Sequence, residues 1–291
     1  MEHLIEDEED NLLSILSLMY PNSSNSKLRK MLTGGRVSID GELVHKAKTV
    51  VKKGQKITVT NKSEAMIKSP PPNRGKKSSK LTILHEDNQI IVVIKPSGLL
   101  SVATNKLEKN TLHSRCVNYM KSKSQREWCH IVHRLDRDTS GVMVFAKDVE
   151  TKKHLQSQFS ARSVERIYHA LVEGNTSESK GTDIAWIYED KKLNVKRVRS
   201  NFRGAREAIT HWELINQNDL FSLMRIKIDT GRRHQIRLAM KNLGTPVVGD
   251  LLHGAKTNKF NRICLHASKI SFNHPKTNDL VTFESNAPFI I

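Results

Sequence analysis

The stretch His133-Arg134-Leu135-Asp136-Arg137-Asp138-Thr139-Ser140-Gly141 sets two arginines, two carboxylates and a Thr-Ser-Gly turn between two apolar runs. Trp128-Cys129-His130-Ile131-Val132 leads in and Val142-Met143-Val144-Phe145-Ala146 leads out, and both flanks read as buried strands. A packed core has no use for so many charges at a strand end, because an ionised group taken out of water must be paired or neutralised. A functional site at this position is the better explanation.

Working outward, Leu81-Thr82-Ile83-Leu84-His85 and Gln89-Ile90-Ile91-Val92-Val93-Ile94 are β-branched runs, and Lys95-Pro96-Ser97-Gly98-Leu99 then turns the chain. A helix is expected over 110–120, with Leu112, Cys116, Val117 and Met120 inward, and another around 151–159, where Leu155 and Phe159 stand at i, i+4. Arg166 to Val172 alternates as a strand, with Tyr168, Ala170 and Val172 on one face and Ile167, His169 and Leu171 on the other. Strands are also expected over 184–187, 208–215 and 222–228; Lys191 to Arg206 reads as an exposed basic loop suited to nucleic acid. Asp229-Thr230-Gly231 turns into an expected helix over 232–243, with Thr230 able to cap it and Gly244 at its end. Such a helix would set Arg233, His234 and Arg237 on adjacent rows facing one place. Strands near 263–266, 270–272 and 280–283 complete the chain. Runs of strands with non-alternating helices favour an α+β domain on a mixed, mainly antiparallel sheet.

The first 60 residues have a different texture. Leu12, Ile15, Leu16 and Met19 share one helical face, and Pro21 stops that helix. A second short helix fits Ser26 to Leu32, with Ser26 as candidate cap; it shows Lys27, Arg29 and Lys30 on its outer face. Arg36-Val37-Ser38-Ile39, a turn at Asp40-Gly41 and Glu42-Leu43-Val44 read as a hairpin, because Asp-Gly favours the left-handed backbone that a two-residue turn needs. Gly54-Gln55 turns again into Lys56-Ile57-Thr58-Val59. Residues 62–80 hold Pro70-Pro71-Pro72, Gly75 and many lysines with almost nothing apolar, and read as an extended basic linker.

The 291 residues are 37% apolar and 27% charged, enough for a core and consistent with a soluble protein. No apolar run reaches the ~18 residues needed to span a bilayer, so no membrane partner is expected. The acidic start, Met1-Glu2-His3-Leu4-Ile5-Glu6-Asp7-Glu8, lacks the basic head and apolar stretch of a signal peptide. Cys116, Cys129 and Cys264 are far apart and odd in number, which suits a reducing cytoplasm without a disulfide framework. No Cys/His cluster has zinc spacing, so no metal is expected. The net charge of +18 is concentrated near 27–36, 62–80 and 191–206, which points to a nucleic-acid partner. An aromatic content of 5% argues against a broad single-strand stacking platform.

The stretch at 133–141 resembles the H-R-L-D-x-x-T-S-G signature of RluA-type pseudouridine synthases. Further blocks resemble that family in the same order: Lys95-Pro96-Ser97-Gly98-Leu99; Arg166-Ile167-Tyr168-His169-Ala170-Leu171-Val172-Glu173-Gly174, with Arg166 where lysine is usual; Thr230-Gly231-Arg232-Arg233-His234-Gln235-Ile236-Arg237; Gly244-Thr245-Pro246-Val247-Val248-Gly249-Asp250; and Leu265-His266-Ala267 with Phe272-Asn273-His274-Pro275. Leu251-Leu252-His253-Gly254 departs from it, lacking the aromatic residue usual before the glycine. The resemblance implies a catalytic domain over 81–291. Residues 11–61 resemble, separately, the small S4-type RNA-binding module, with Lys27, Arg29, Lys30 and Arg36 as its RNA-facing residues.

The implied activity is isomerisation of uridine in structured RNA, without a cofactor. Large-subunit ribosomal RNA is the expected substrate and transfer RNA the alternative. The resemblance makes Asp136 the catalytic carboxylate, acting either as nucleophile on the ribose or as base in an elimination. It makes Arg237 the cation beside Asp136, places Tyr168 over the target base, and gives Arg134 the task of extruding the nucleotide or holding its phosphate. His133 and Leu135 complete the substrate pocket, His133 more as a hydrogen-bonded structural histidine than as an acid or base; His234 stays undecided. Asp138, Thr139 and Ser140 shape the turn. A monomeric, cytoplasmic enzyme is expected. The competing reading is a catalytically silent RNA-binding assembly factor on the same fold.

Overall fold

The computed structural model describes residues 2–4, 10–60, 81–104, 107–125, 127–190 and 193–290. The expected linker at 62–80 lies wholly outside the described residues. The chain divides into two compact units, Met1–Ser79 and Lys80–Ile291. Among the described residues no helix is long and apolar enough to cross a membrane.

In the first unit, strands β1 (Glu2–Leu4) and β2 (Asp10–Asn11) precede helix α1 (Leu12–Met19) and helix α2 (Asn25–Thr33). Asn11 caps α1 by accepting from the Ser14 amide at 3.1 Å. The cap of α2 is Ser24, two residues before the serine expected, because the Lys27 amide lies within reach of its hydroxyl. Then come β3 (Val37–Ile39), β4 (Glu42–Leu43), β5 (Val50–Val51) and β6 (Lys56–Val59). Asp40 and Gly41 take φ of 48° and 86°, the left-handed pair of a tight hairpin. The Asp40 carboxylate also accepts from the Lys56 amide at 2.8 Å, tying the turn to β6. Leu12, Ile15, Leu16, Leu28, Met31, Leu32, Val37, Val51, Ile57 and Val59 form the core of this unit. Lys27, Arg29 and Lys30 stand exposed on the outer face of α2, whereas Arg36 donates from Nε to the Thr60 carbonyl at 2.9 Å.

The second unit runs β7 (Thr82–Glu86), β8 (Ile90–Lys95), α3 (Leu112–Lys123), β9 (His130–Ile131), β10 (Ser140–Ala146), α4 (Val149–Ser160), β11 (Glu165–Glu173), β12 (Lys180–Glu189), β13 (Val195–Val198), β14 (Arg206–Gln217), β15 (Phe221–Ile228), α5 (Gln235–Asn242), β16 (Leu265–Asn273) and β17 (Leu280–Glu284). One sheet has the order β13-β12-β14-β15-β11-β16-β10-β8-β7, with β17 beside β16 and β9 beside β10. The β10–β16 pair is parallel and the other pairs are antiparallel, so the fold is α+β on a mixed, mainly antiparallel sheet.

Every residue of β10 is buried because the middle of the sheet is covered on both faces. Ile91, Val93, Met143 and Phe145 pack with α3 and α5; Ile90, Val92, Val142 and Val144 pack with Leu155 of α4. This explains the unbroken apolar texture of 142–146. The lead-in flank differs from expectation: only His130 and Ile131 pair, and Trp128 is 42% exposed. Helix starts follow their caps. Thr111 and Ser114 form a reciprocal capping box that starts α3 at Leu112, and Asp148 takes the Thr151 amide at 2.7 Å to start α4 at Val149. The expected basic loop after β12 contains β13, which pairs with β12 from Trp186↔Val198 to Glu189↔Val195. The two late strands are one continuous strand, β16.

Candidate active site

The segment between β9 and β10 carries Asp136, and three side chains outside it hold its backbone. Lys95, fully buried at the end of β8, donates to the carbonyls of Leu99 and Arg137 at 2.7 Å each and of Pro96 at 3.0 Å. Three carbonyls match the three N–H bonds of an ammonium. Burial pushes the Lys95 pKa down to about 7, against the pull of Asp138 and Asp136. Ser97 donates to the Asp138 carbonyl at 2.7 Å, and the Ser101 hydroxyl both donates to the Leu135 carbonyl and accepts from its amide. The Lys-Pro-Ser-Gly-Leu block and its continuation therefore fix the backbone on both sides of Asp136.

The far end of the segment is closed by β16. Arg262 donates to the Ser140 hydroxyl at 2.6 Å, which leaves the serine proton for Nδ1 of His266 at 2.7 Å. Nε2 of His266 then carries its hydrogen toward Ser285 at 3.3 Å. Gly141, at φ 126°, sits where a Cβ would overlap the Ala267 backbone, so the parallel pairing of β10 with β16 requires glycine there.

A cleft of about 800 Å³ opens over this segment. His133, Arg134, Leu135, Asp136, Tyr168 and Arg237, from three separate parts of the sequence, all line it. The Asp136 side chain has no hydrogen-bond partner among the described residues, and its charge bears on Tyr168, Lys95 and His253. Tyr168 projects from β11 and is 7% exposed; burial, reinforced by Asp136 and opposed by Arg166, pushes its phenol up to about 12. At neutral pH the hydroxyl is a donor and not a phenolate.

Arg237 departs from expectation. Its fork clasps Asp250, with Nε to Oδ2 at 2.7 Å and Nη2 to Oδ1 at 2.6 Å, and both side chains are buried. Among the described residues no hydrogen bond joins it to Asp136. A planar guanidinium that commits one edge to a carboxylate keeps the remaining nitrogen, Nη1, for anything else. The sequence had missed Asp250 as a partner because it lies 13 residues away and across a loop.

The loop before α5 is also reorganised. Gln235 begins the helix, not Arg232, and Thr230 does not cap it. Thr230 accepts from the Ile209 amide at 3.0 Å and donates to Gln235 Oε1 at 2.7 Å, while Gln235 accepts from the Arg232 amide and donates to the Ile209 carbonyl. The cap position is His234, in the left-handed region at φ 53°, with Nδ1 3.0 Å from Nε2 of His253. Burial, with Arg237 adding to it, pushes His234 down to about 3, so this histidine is a neutral hydrogen-bonding group. His133 is structural in the same sense: its Nε2 accepts from the Val144 amide at 3.2 Å, its ring stacks on Phe159 at 4.9 Å, and burial pushes it down to about 3. Arg166 is 8% exposed, donates to the Ile228 and Asp229 carbonyls, and keeps a buried Nε without a partner.

A cleft over a mixed sheet, with an unpaired carboxylate on a loop clamped from two sides, is the architecture of an RNA-modifying isomerase when it comes with the following relatives. A match to the RNA pseudouridylate synthase family covers residues 89–242. The uncharacterized RNA pseudouridine synthase YhcT of Bacillus subtilis is 31% identical over 99% of this chain and 93% of its own length. Ribosomal large subunit pseudouridine synthase D of Pseudomonas aeruginosa is 30% identical over 94% of this chain and 87% of its own. In fold, the chain is similar to human RNA pseudouridylate synthase domain containing 4, with a TM-score of 0.61 and 23% identity over 71% of this chain and 88% of that one. The chain belongs to the RNA pseudouridine synthase family, and it is an isomerase that acts on RNA.

Proposed function

We propose that this protein isomerises specific uridines of large-subunit ribosomal RNA, with Asp136 as the catalytic carboxylate. The observation that carries the assignment is a carboxylate without a hydrogen-bond partner among the described residues, held in an arginine-lined cleft on a backbone clamped by Lys95, Ser97 and Ser101. The choice of RNA is supported by the relatives named for the large ribosomal subunit.

The reaction is redox-neutral and internal to one nucleotide. The bond from N1 of uracil to C1′ of ribose breaks, the base turns, C5 bonds to C1′, and the C5 proton is lost as N1 gains one. Asp136 either attacks C1′ or removes a ribose proton; in both routes it starts ionised. Tyr168, protonated and buried, offers a ring face to the uracil and a hydroxyl that donates a hydrogen bond. Arg134, exposed and without a side-chain partner among the described residues, is suited to hold a phosphate of the flipped nucleotide. Arg237 lines the cleft with Nη1 outside its pair with Asp250, which fixes the guanidinium plane. Residues 11–60 serve as the S4-like module that brings affinity, with Lys27, Arg29 and Lys30 toward RNA.

The test is pseudouridine mapping after incubating the full chain with unmodified ribosomal RNA. New pseudouridine with the natural sequence and none with Asp136→Asn is the expected result. Equal conversion by Asp136→Asn removes the assignment of Asp136, and no conversion by the natural sequence removes the substrate.

A further inference from the structure

The β12–β13 hairpin and the turn after it carry a feature the reaction does not use. Tyr188 and Phe202 meet edge to face with centroids 4.8 Å apart, and Lys196 Nζ lies 6.0 and 5.8 Å from the two rings. Phe202 is nevertheless 42% exposed. It is held in that position by two turns, its amide bonding to the Arg199 carbonyl and its carbonyl accepting from the Ala205 amide, each at 3.0 Å. Gly204, two residues on and at φ 85°, lines the cleft. An exposed aromatic face, fixed at a cleft edge in a chain with few aromatics, is poorly explained by packing.

Beside it stands a group of like charges. Arg162, Arg206 and Arg232 all line the cleft, and Arg162 and Arg206 act on Arg232 as neighbouring cations. Glu207 is the carboxylate that meets them: its side chain takes Arg162 at 3.1 Å and its carbonyl takes Arg232 Nε at 3.0 Å. Arg206 has no side-chain partner among the described residues. Within this group, three guanidiniums meet one carboxylate, an excess of two positive charges. The other carboxylates nearby on the cleft wall are engaged elsewhere: Glu189 with Arg233 at 3.3 Å, Asp229 with His211 at 2.9 Å, and Asp190 with the amide and side chain of Asn194 at 2.9 Å each. Like charges gathered without enough counter-charge call for an external anion.

We propose that this rim is a second nucleotide subsite, in which Phe202 stacks an unpaired base next to the target uridine and Arg162, Arg206 and Arg232 hold its phosphodiester. The proposal rests on RNA being the substrate, and it adds a grip outside the nucleotide that reacts. A flipped uridine leaves its neighbour with one face unstacked; an aromatic ring at the rim replaces that lost stacking, which makes extrusion less costly. Unlike the uridine pocket, this subsite reads strand geometry and charge, so it favours any base.

Two probes separate this subsite from the function reading. The first is fluorescein-labelled oligouridylate of twelve nucleotides, binding to the full chain; the second is conversion of ribosomal RNA. Phe202→Ala is expected to weaken oligouridylate binding about tenfold, with Phe202→Trp restoring it. Arg206→Gln is expected to lower the slope of log affinity against log salt by about 0.7. Lys153→Gln, which removes a charge from the exposed side of α4 outside the cleft, serves as the control and should match neither change. A 2-aminopurine placed beside the converted uridine should lose fluorescence on binding the natural sequence and regain it with Phe202→Ala. Affinity within twofold for Phe202→Ala and an unchanged salt slope for Arg206→Gln overturn the subsite, whatever the conversion assay shows. Phe202-dependent binding without conversion leaves the subsite standing and removes the function reading.

Discussion

Asp136 and Arg237 show how far a residue's identity can be separated from its partner. Both line one cleft, yet the cation turns its fork to Asp250. A buried bidentate pair fixes the guanidinium plane and leaves Nη1 outside the pair. Asp250→Ala is therefore expected to destabilise the fold by about 3–5 kcal/mol, the usual result of leaving one member of a buried pair alone. Asp250→Asn, which keeps one acceptor, should be milder and should lower kcat more than it raises KM. Thermal denaturation and steady-state kinetics decide between this and a surface-like pair, for which neither variant would matter. Gly141 makes a comparable point. Its presence in the motif reflects the Ala267 backbone lying against it, a contact 126 residues away in sequence.

At the scale of elements, the site is a loop with no regular structure of its own, held by what surrounds it. The end of β8 supplies Lys95 and the chain beyond it Ser97 and Ser101, and β16 with the segment before it supplies His266 and Arg262. Lys95→Met would leave the carbonyls of Pro96, Leu99 and Arg137 without that donor, at about 1–3 kcal/mol for each that stays buried and unmet. The expected outcome is a slower enzyme with faster amide exchange across 134–139 and unchanged exchange in β10; hydrogen exchange read by mass spectrometry measures it. Uniform exchange across both would show that Lys95 supports the fold at large and not the loop. The helices teach a related lesson. The start of α5 moved from 232 to 235 because Gln235 and Thr230 bond to each other and to Ile209 on β14, so the Thr-Gly-Arg-Arg-His segment stays a loop that reaches into the cleft. A capping rule sees only neighbours along the chain, and here the competing partner sat on another strand.

At the scale of the whole molecule, the excess of positive charge is distributed between two units. The exposed face of α2 lies in the first unit and the arginine-lined cleft in the second. If the first unit provides affinity, replacing Lys27, Arg29 and Lys30 together by glutamine should weaken binding to ribosomal RNA and reduce its salt slope by about 2–3. The rate at saturating RNA should change little. Filter binding across a salt series gives the answer, and an unchanged slope would take RNA contact away from α2.

Much of the fold is legible in the sequence by itself. Period-two alternation at 166–172, the Asp40-Gly41 turn and the apolar runs at 90–94 and 142–146 are short-range signals, and short-range signals survive in one dimension. The same holds for the charges at 133–141, because burying them without purpose is too unfavourable. Tertiary structure alone decided the rest: that Arg237 pairs with Asp250, that Lys95 clamps the loop carrying Asp136, that the basic stretch near 195 is an edge strand whose Lys196 pairs with Tyr188, against the ring of Phe202. Each of these depends on which polar group finds a partner in space. A buried charge or an idle hydrogen-bond donor settles with whatever acceptor the sheet brings near it, and that acceptor is set by strand order, which no local pattern encodes.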